Sequence, residues 1–427
     1  MAVPVVLTVI ILGLGLGSAA IMSSIGVQSG SSRDSDSKSA LAAADAGMDV
    51  AIYRQNTTRT SATQPCVINS GGTLAPGAAA ADGWCPEFTG TVGDSSYSYR
   101  VSPWASTGTP ATGGVRRNME VVAIGAHDGV SRRLNVGAIA RDGAGIFGGF
   151  GAVGVDRITI SGSAEIGNAA NETGVATNGD IYNDGTLCGD AQVGVGREFF
   201  NDGDWCEGYS EGEGMLTLPP VDASNVWTSN SNGRFFGQDA KSGSVSWDAT
   251  SHTLNMGGNS TLTLGGINYS LCKLEMAGGS NLIVAQGASV NIFFHSPEQC
   301  GLTGDPVSQL SMTGNPHLGP TSLNPGDMRL LFVGSDTIAT SATLDGNPSA
   351  GGSDFTLYAP RTDVTLQGDP TYRGAVVGKT LSVIGNAKLL GHPGSLNSNI
   401  PVVIRYDRDR YVECTGAAAQ SPPDAYC

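Results

Sequence analysis

Charge is scarce in this chain. Only 14% of its 427 residues are Asp, Glu, Lys or Arg, well below the share of about 25% in an ordinary soluble domain. That composition does not suit a helical bundle, which draws heavily on Leu, Glu and Lys. Basic residues are the scarcer class, 23 against 38 acidic ones for a net charge of −15. A phosphate backbone would be repelled, so no nucleic-acid partner is expected. Catalytic and metal-binding motifs are missing as well. There is no CxxC, no His at zinc-ligand spacing, no GxSxG, no HExxH and no P-loop. The five histidines, His127, His252, His295, His317 and His392, share no motif. No catalytic residue, no metal site, no cofactor and no enzyme activity are expected. Gly143 to Gly148 spells GxGxxG, but the chain runs on through Gly149, Gly151 and Gly154. A dinucleotide site needs a helix starting there, so this is read as a chance match in a Gly-rich chain.

What is present begins at the N-terminus. Ala2 to Met22 holds no charged side chain, with no Lys or Arg before Arg33 and no acid before Asp34. As a helix at 1.5 Å per residue it spans about 30 Å, the thickness of a bilayer's hydrocarbon core. A cleaved signal peptide would open with basic residues and a shorter apolar run. The segment is therefore expected to anchor the chain in a membrane through residues 2–22, with the body outside the cytoplasm. Gly13 and Gly17 form a GxxxG, the spacing that lets helices approach closely. After a soft spot at Ser29–Ser32, Leu41, Ala44, Met48 and Ala51 recur on one helical face. Asp34 and Asp36 suit the start of that helix, and Arg54 and Arg59 suit its end.

The run SALAAADAGMDVAIY, Ser39 to Tyr53, resembles the segment behind the hydrophobic helix of PilX-like pilus-assembly proteins. In that family an A-x-A-A-[ED]-A-G-[IVM] pattern recurs. The likeness covers about Ala2 to Arg54. It implies a helix that sits in the membrane before assembly and in the filament core afterwards, with other pilins and the assembly platform as partners. Two departures stand beside it: no basic leader precedes the apolar run, and no acid occupies the fifth position. The first is read as a misplaced start, a trimmed sequence or an unprocessed helix.

Glycine supplies 62 residues, about twice the usual share, which fits a β-rich body with many turns. The strand-like runs Ser95–Ser102, Met119–Gly125 and Ser131–Ala140, joined through the hairpin signal Asp128-Gly129, predict a small antiparallel sheet. From Val155 an apolar–x–apolar–x–Gly–polar pattern returns at Ile158, Leu310, Val364 and Leu381, with variants at Leu254 and Leu274. Short strands ended by glycine are the unit of a β-solenoid, and a β-sandwich is the alternative. The predicted fold is mainly β with a long N-terminal helix. Residues 1–55 form the helix, 56–150 a pilin-like sheet, and 151–427 a Gly-rich right-handed β-helix or solenoid. The eight cysteines fall in sequence into Cys66/Cys85, Cys188/Cys206, Cys272/Cys300 and Cys414/Cys427. An even count in an exported chain reads as disulfides, and sequential pairing is preferred among 105 connectivities.

The stretch Leu357 to Asn386, with its YAP, V-x-L-x-G, GA-V-V and x-G-N elements, resembles an uncharacterised C-terminal domain found behind PilX-like N-termini. That likeness covers about Thr250 to Asp407 and implies architecture rather than chemistry. Asn201 to Glu213, with five carboxylates and two aromatics, is the one segment that suggests a calcium or sugar site. A solvated loop stapled through Cys206 is the simpler reading. The expected role is a structural or adhesive part of a type IV pilus-like filament, contacting a surface or glycan. The alternatives are a membrane-anchored β-helix protein that binds or processes polysaccharide, and a self-polymerising scaffold.

Overall fold

The computed structural model describes residues 33–58, 64–70, 73–103, 105–107, 116–141, 146–147, 149–206, 209–213, 216, 218–346, 352–402 and 406–414. The predicted membrane segment 2–22, with Gly13 and Gly17, lies outside them. No helix among the described residues is long and apolar enough to cross a membrane. The chain forms two compact units. One comprises Met1–Thr107, Arg116–Ala140 and Arg405–Cys427, the other Gly108–Val115 and Arg141–Ile404.

In the first unit a helix over 33–57 lies on an antiparallel sheet. The strand order is Phe88–Val92, Ser95–Val101, Arg116–His127, Val130–Arg141, Tyr406–Cys414, with the short Ala105–Thr107 paired to the start of Arg116–His127. Ala40, Ala43, Ala44, Met48 and Ala51 are fully buried, the 3–4 spacing of one helical face. Leu41, placed on that face by the sequence pattern, is only half-buried. Small side chains are needed here because the backbones meet. A Cβ on Gly125 would fall 2.0 Å from the Ala40 carbonyl oxygen. The hairpin turns at Asp128 and Gly129, both at positive φ, as the Asp-Gly signal implied. The strand Tyr406–Cys414 joins this sheet from the far end of the chain, pairing with Val130–Arg141. Its fastening is polar: Tyr406 N–H donates to Asn56 Oδ1 at 2.6 Å, and Arg408 pairs with Asp45 at 3.2 Å and with Asp49. A separate hairpin, Cys66–Ser70 with Thr73–Gly77, is tied by the disulfide Cys66–Cys85.

The second unit is a stack of short parallel strands, each rung in register with the next. One inward column runs Leu254, Leu274, Leu310, Ala342, Val364, Leu381, Ile158, Ile181, Phe199. Two residues on, Met256, Met276, Met312, Leu344, Leu366, Val383 and Ile160 form a second column that ends in Asn183 and Asn201. The sequence repeat is thus the register of these columns. A β-sandwich, which is antiparallel, does not match this pairing. At the corner Gly278 pairs Gly314, Gly346 pairs Gly368, and Gly385 pairs Gly162. Gly368 shows why the glycine recurs: its φ is +93, and a Cβ would meet the Gly346 carbonyl oxygen at 2.5 Å.

The rungs do not stack in chain order. The first one, Ala152–Gly162, sits in the middle, with Asp180–Asn183 on one side and the last long strand, Thr371–Gly385, on the other. The chain winds from the middle to one end, crosses over, and winds back from the opposite end. The crossover covers a second apolar stripe, Phe293, Leu331, Tyr358, Val377 and Val153, burying Val221 and Val226 against it. It starts beside Asn178, whose side chain bonds both ways to Leu216 (2.6 and 2.9 Å). It passes Tyr358, whose hydroxyl donates to the Pro219 carbonyl at 2.7 Å, and ends on Asn232, which bonds to Ser270. Disulfides join Cys188–Cys206 and Cys272–Cys300 within the stack. Cys414, in the first unit, is also disulfide-bonded, while its expected partner Cys427 lies outside the described residues.

Candidate functional site

The helix-on-sheet face of the first unit is the element on which an assembly role would rest. Its end is fixed by Arg54, which donates to Tyr99 Oη at 2.7 Å and lies 4.5 Å above the Phe88 ring. Phe88 and Tyr99 stack at 5.4 Å. Burial pushes the Tyr99 hydroxyl up to about 12, so it stays a neutral acceptor for the guanidinium. On the opposite face Tyr53 is 67% exposed, Asp34 pairs with Lys38 at 2.7 Å along the surface, and Arg408 reaches over to Asp45 and Asp49.

The segment Asn201–Glu213, read as a calcium or sugar site, forms the last rungs of the stack. Phe199–Asn201 and Asp204–Trp205 pair with the rung before them, and Cys206 is bonded to Cys188. Asn201 Oδ1 accepts from Asn183 Nδ2 at 2.6 Å, which satisfies the polar end of the second column. Glu207 and Gly208 lie outside the described residues, and of Tyr209–Glu213 only the backbone is described, pairing with Ala191–Gly194. Sequence reading missed what surrounds this segment. Tyr182 and Phe200 stack at 4.9 Å, Phe199 packs edge-on against Trp205 at 5.2 Å, and Tyr182, Val195, Phe200 and Trp205 are all exposed. A single-rung offset between aromatics, Tyr182-Asn-Asp and Phe200-Asn-Asp, is the signal that could have found the pair.

Two histidines that are distant in sequence meet on Trp227. His252 stacks on its ring at 4.2 Å, and His295 meets it edge-on at 4.9 Å. His295 is buried between Ser270 Oγ (2.9 Å) and Gln299 Oε1 (3.2 Å). Burial pushes its imidazole down to about 4, so it is neutral at pH 7. His392 accepts from Gly394 N–H as a helix cap. A shallow groove of about 350 Å³ runs over the outward stripe Ser246, Asn255, Glu275 and Ser311. Its walls mix hydroxyls, the Asn255 amide and the Glu275 carboxylate with Met256, Met276 and Ala277.

No family model matches this chain, and no curated protein does. Among solved structures, the competence-associated pilin ComZ from Thermus thermophilus is similar over 89% of this chain and 98% of its own, at 12% identity and a TM-score of 0.24. So slight a likeness carries no argument about fold or role.

Proposed function

We propose that this chain is a structural, non-catalytic subunit of a type IV pilus-like filament. In that reading residues 2–22 anchor it before assembly, and other pilins and the assembly platform are its partners. The stacked rungs of the second unit are then a right-handed β-helix displayed at the cell surface or on the pilus. One observation carries the reading: the helix over 33–57, which follows the apolar N-terminal run in sequence, lies with an alanine face on an antiparallel sheet and keeps Tyr53 exposed on its other side, a face suited to packing in a filament. Loss and complementation test it. Cells without the chain are expected to yield fewer sheared filaments, with recovery when the chain is restored. Unchanged filament yield rejects it.

A second reading, a membrane-anchored surface protein that binds polysaccharide, is supported by the exposed Tyr182, Phe200 and Trp205 on the end rungs. Aromatic faces beside polar groups suit sugar rings. Retardation of the chain by a neutral polysaccharide in affinity gels, lost in Phe200→Ala with Trp205→Ala, would favour it.

A further inference from the structure

The constellation with the clearest chemistry lies in the first unit, where the start of the helix meets the hairpin tip. Asp36 is in the helix's first turns, and His127 and Asp128 end the strand and begin its turn. One donor atom from each lies within 4.8 Å of the other two. His127 Nδ1 is 2.9 Å from the hydroxyl of Ser95, a residue only 7% exposed. That bond turns Nε2 outward, 3.9 Å from the Asp128 carboxylate. Holding one ring nitrogen on a fixed partner is how proteins aim the other at a metal.

We propose that Asp36, His127 and Asp128 bind a divalent transition ion of the zinc class, clipping the helix to the hairpin. The imidazole decides the class, because calcium and magnesium take oxygen ligands whereas zinc accepts nitrogen and carboxylate together. Two carboxylates balance the ion's charge. Donors around a tetrahedral zinc at about 2.0 Å are about 3.3 Å apart, so the three must draw in slightly. Asp128, with its side chain 81% exposed, is free to do so. The ion would reinforce a junction that the protein already fastens one residue along, where Arg132 Nε donates to Ser37 Oγ at 2.8 Å. The residues are separated by about ninety positions, so no spacing motif in the sequence announces the site.

Equilibrium dialysis of the full chain in detergent against zinc chloride tests this, with calcium chloride run in parallel. One saturable zinc per chain is expected, with at least about tenfold weaker binding in Asp128→Asn and in Asp36→Asn. Ser95→Ala should weaken binding about 10-fold or more without removing a ligand. Asp34→Asn, on the same helical turn but paired with Lys38, should leave it unchanged. Asp128 is exposed, so its variant keeps the fold, and far-UV circular dichroism verifies this for each protein. Absence of saturable zinc binding, or equal binding in wild type and Asp128→Asn, would overturn the proposal. Tighter binding of calcium than of zinc would do the same.

Discussion

The two ends of the parallel stack solve one problem in opposite ways. A rung at either end has no neighbour beyond it, so its core and its backbone edge face water. At the Leu254 end the chain supplies a plug. A 3-10 turn, Asn232–Phe236, drives Phe235 into the core against Tyr269 (5.1 Å) and Trp247 (5.0 Å). An antiparallel strand, Ala240–Asp248, covers the edge. The plug is locked by Asp239, whose fully buried carboxylate accepts from Arg234 Nε (2.9 Å), Tyr269 Oη (2.6 Å) and Gly265 N–H (3.1 Å). At the Phe199 end the inward column turns polar, Asn183 to Asn201, a disulfide staples the rungs, and aromatics remain exposed. The first end is built for closure. The second leaves Tyr182, Val195, Phe200 and Trp205 exposed, and in the proposed filament reading this is the surface offered to a partner.

Substitutions can break or sharpen that contrast. The largest loss is expected between the ends, at Gly368→Val: positive φ and a carbonyl contact at 2.5 Å leave no room, costing about 4–5 kcal/mol in urea denaturation. Phe235→Ala should follow, at about 3–5 kcal/mol, with faster hydrogen exchange at Leu254–Leu274 than at Ile181. Replacing Cys188 and Cys206 together by Ala removes the staple of the open end, at about 3 kcal/mol for a loop of this length. Exchange should then rise at 180–206 and stay unchanged around Phe235. If both ends loosen together, the contrast is wrong.

The closed end is also expected to be the acid-sensitive one. His295 is held below its ordinary value, at about 4, so the unfolded chain takes up the proton first as pH falls from about 6.5. Stability at this site is complete above about pH 6.5, declines as pH drops toward 4, and is level below that. The loss is about 2–3 kcal/mol, read as a shift of the urea midpoint between pH 7 and pH 4.5. His295→Asn should flatten that slope. The smallest effect belongs to the open end, where Phe200→Ala should stay within about 0.5 kcal/mol in thermal melts.

Much of this was legible in the residues. The apolar–x–apolar–x–Gly repeat named Leu254, Leu274, Leu310, Val364, Leu381 and Ile158, and these share one column because each glycine closes the same corner. Three rungs escaped notice. One begins with Ala342 in place of a large side chain, and two carry Asn183 and Asn201 where an apolar residue was sought. The stacking order was not legible either. Parallel pairing is fixed by long-range contacts, so no local pattern places Ala152–Gly162 against Thr371–Gly385. The return of Tyr406–Cys414 to the first sheet is hidden for the same reason. At the candidate surfaces, the Asn201–Glu213 segment read as a stapled loop, but its aromatic stack depends on a register that only the folded rungs supply.

The central claim, that the N-terminal helix assembles and the β body is carried with it, is tested most directly on filaments sheared from the source cells. Mass spectrometry of that fraction should find peptides from both units, with the N-terminal peptide methylated or otherwise processed. Recovery from the membrane fraction alone, with residues 1–22 intact, would contradict the claim and leave an anchored surface protein in its place.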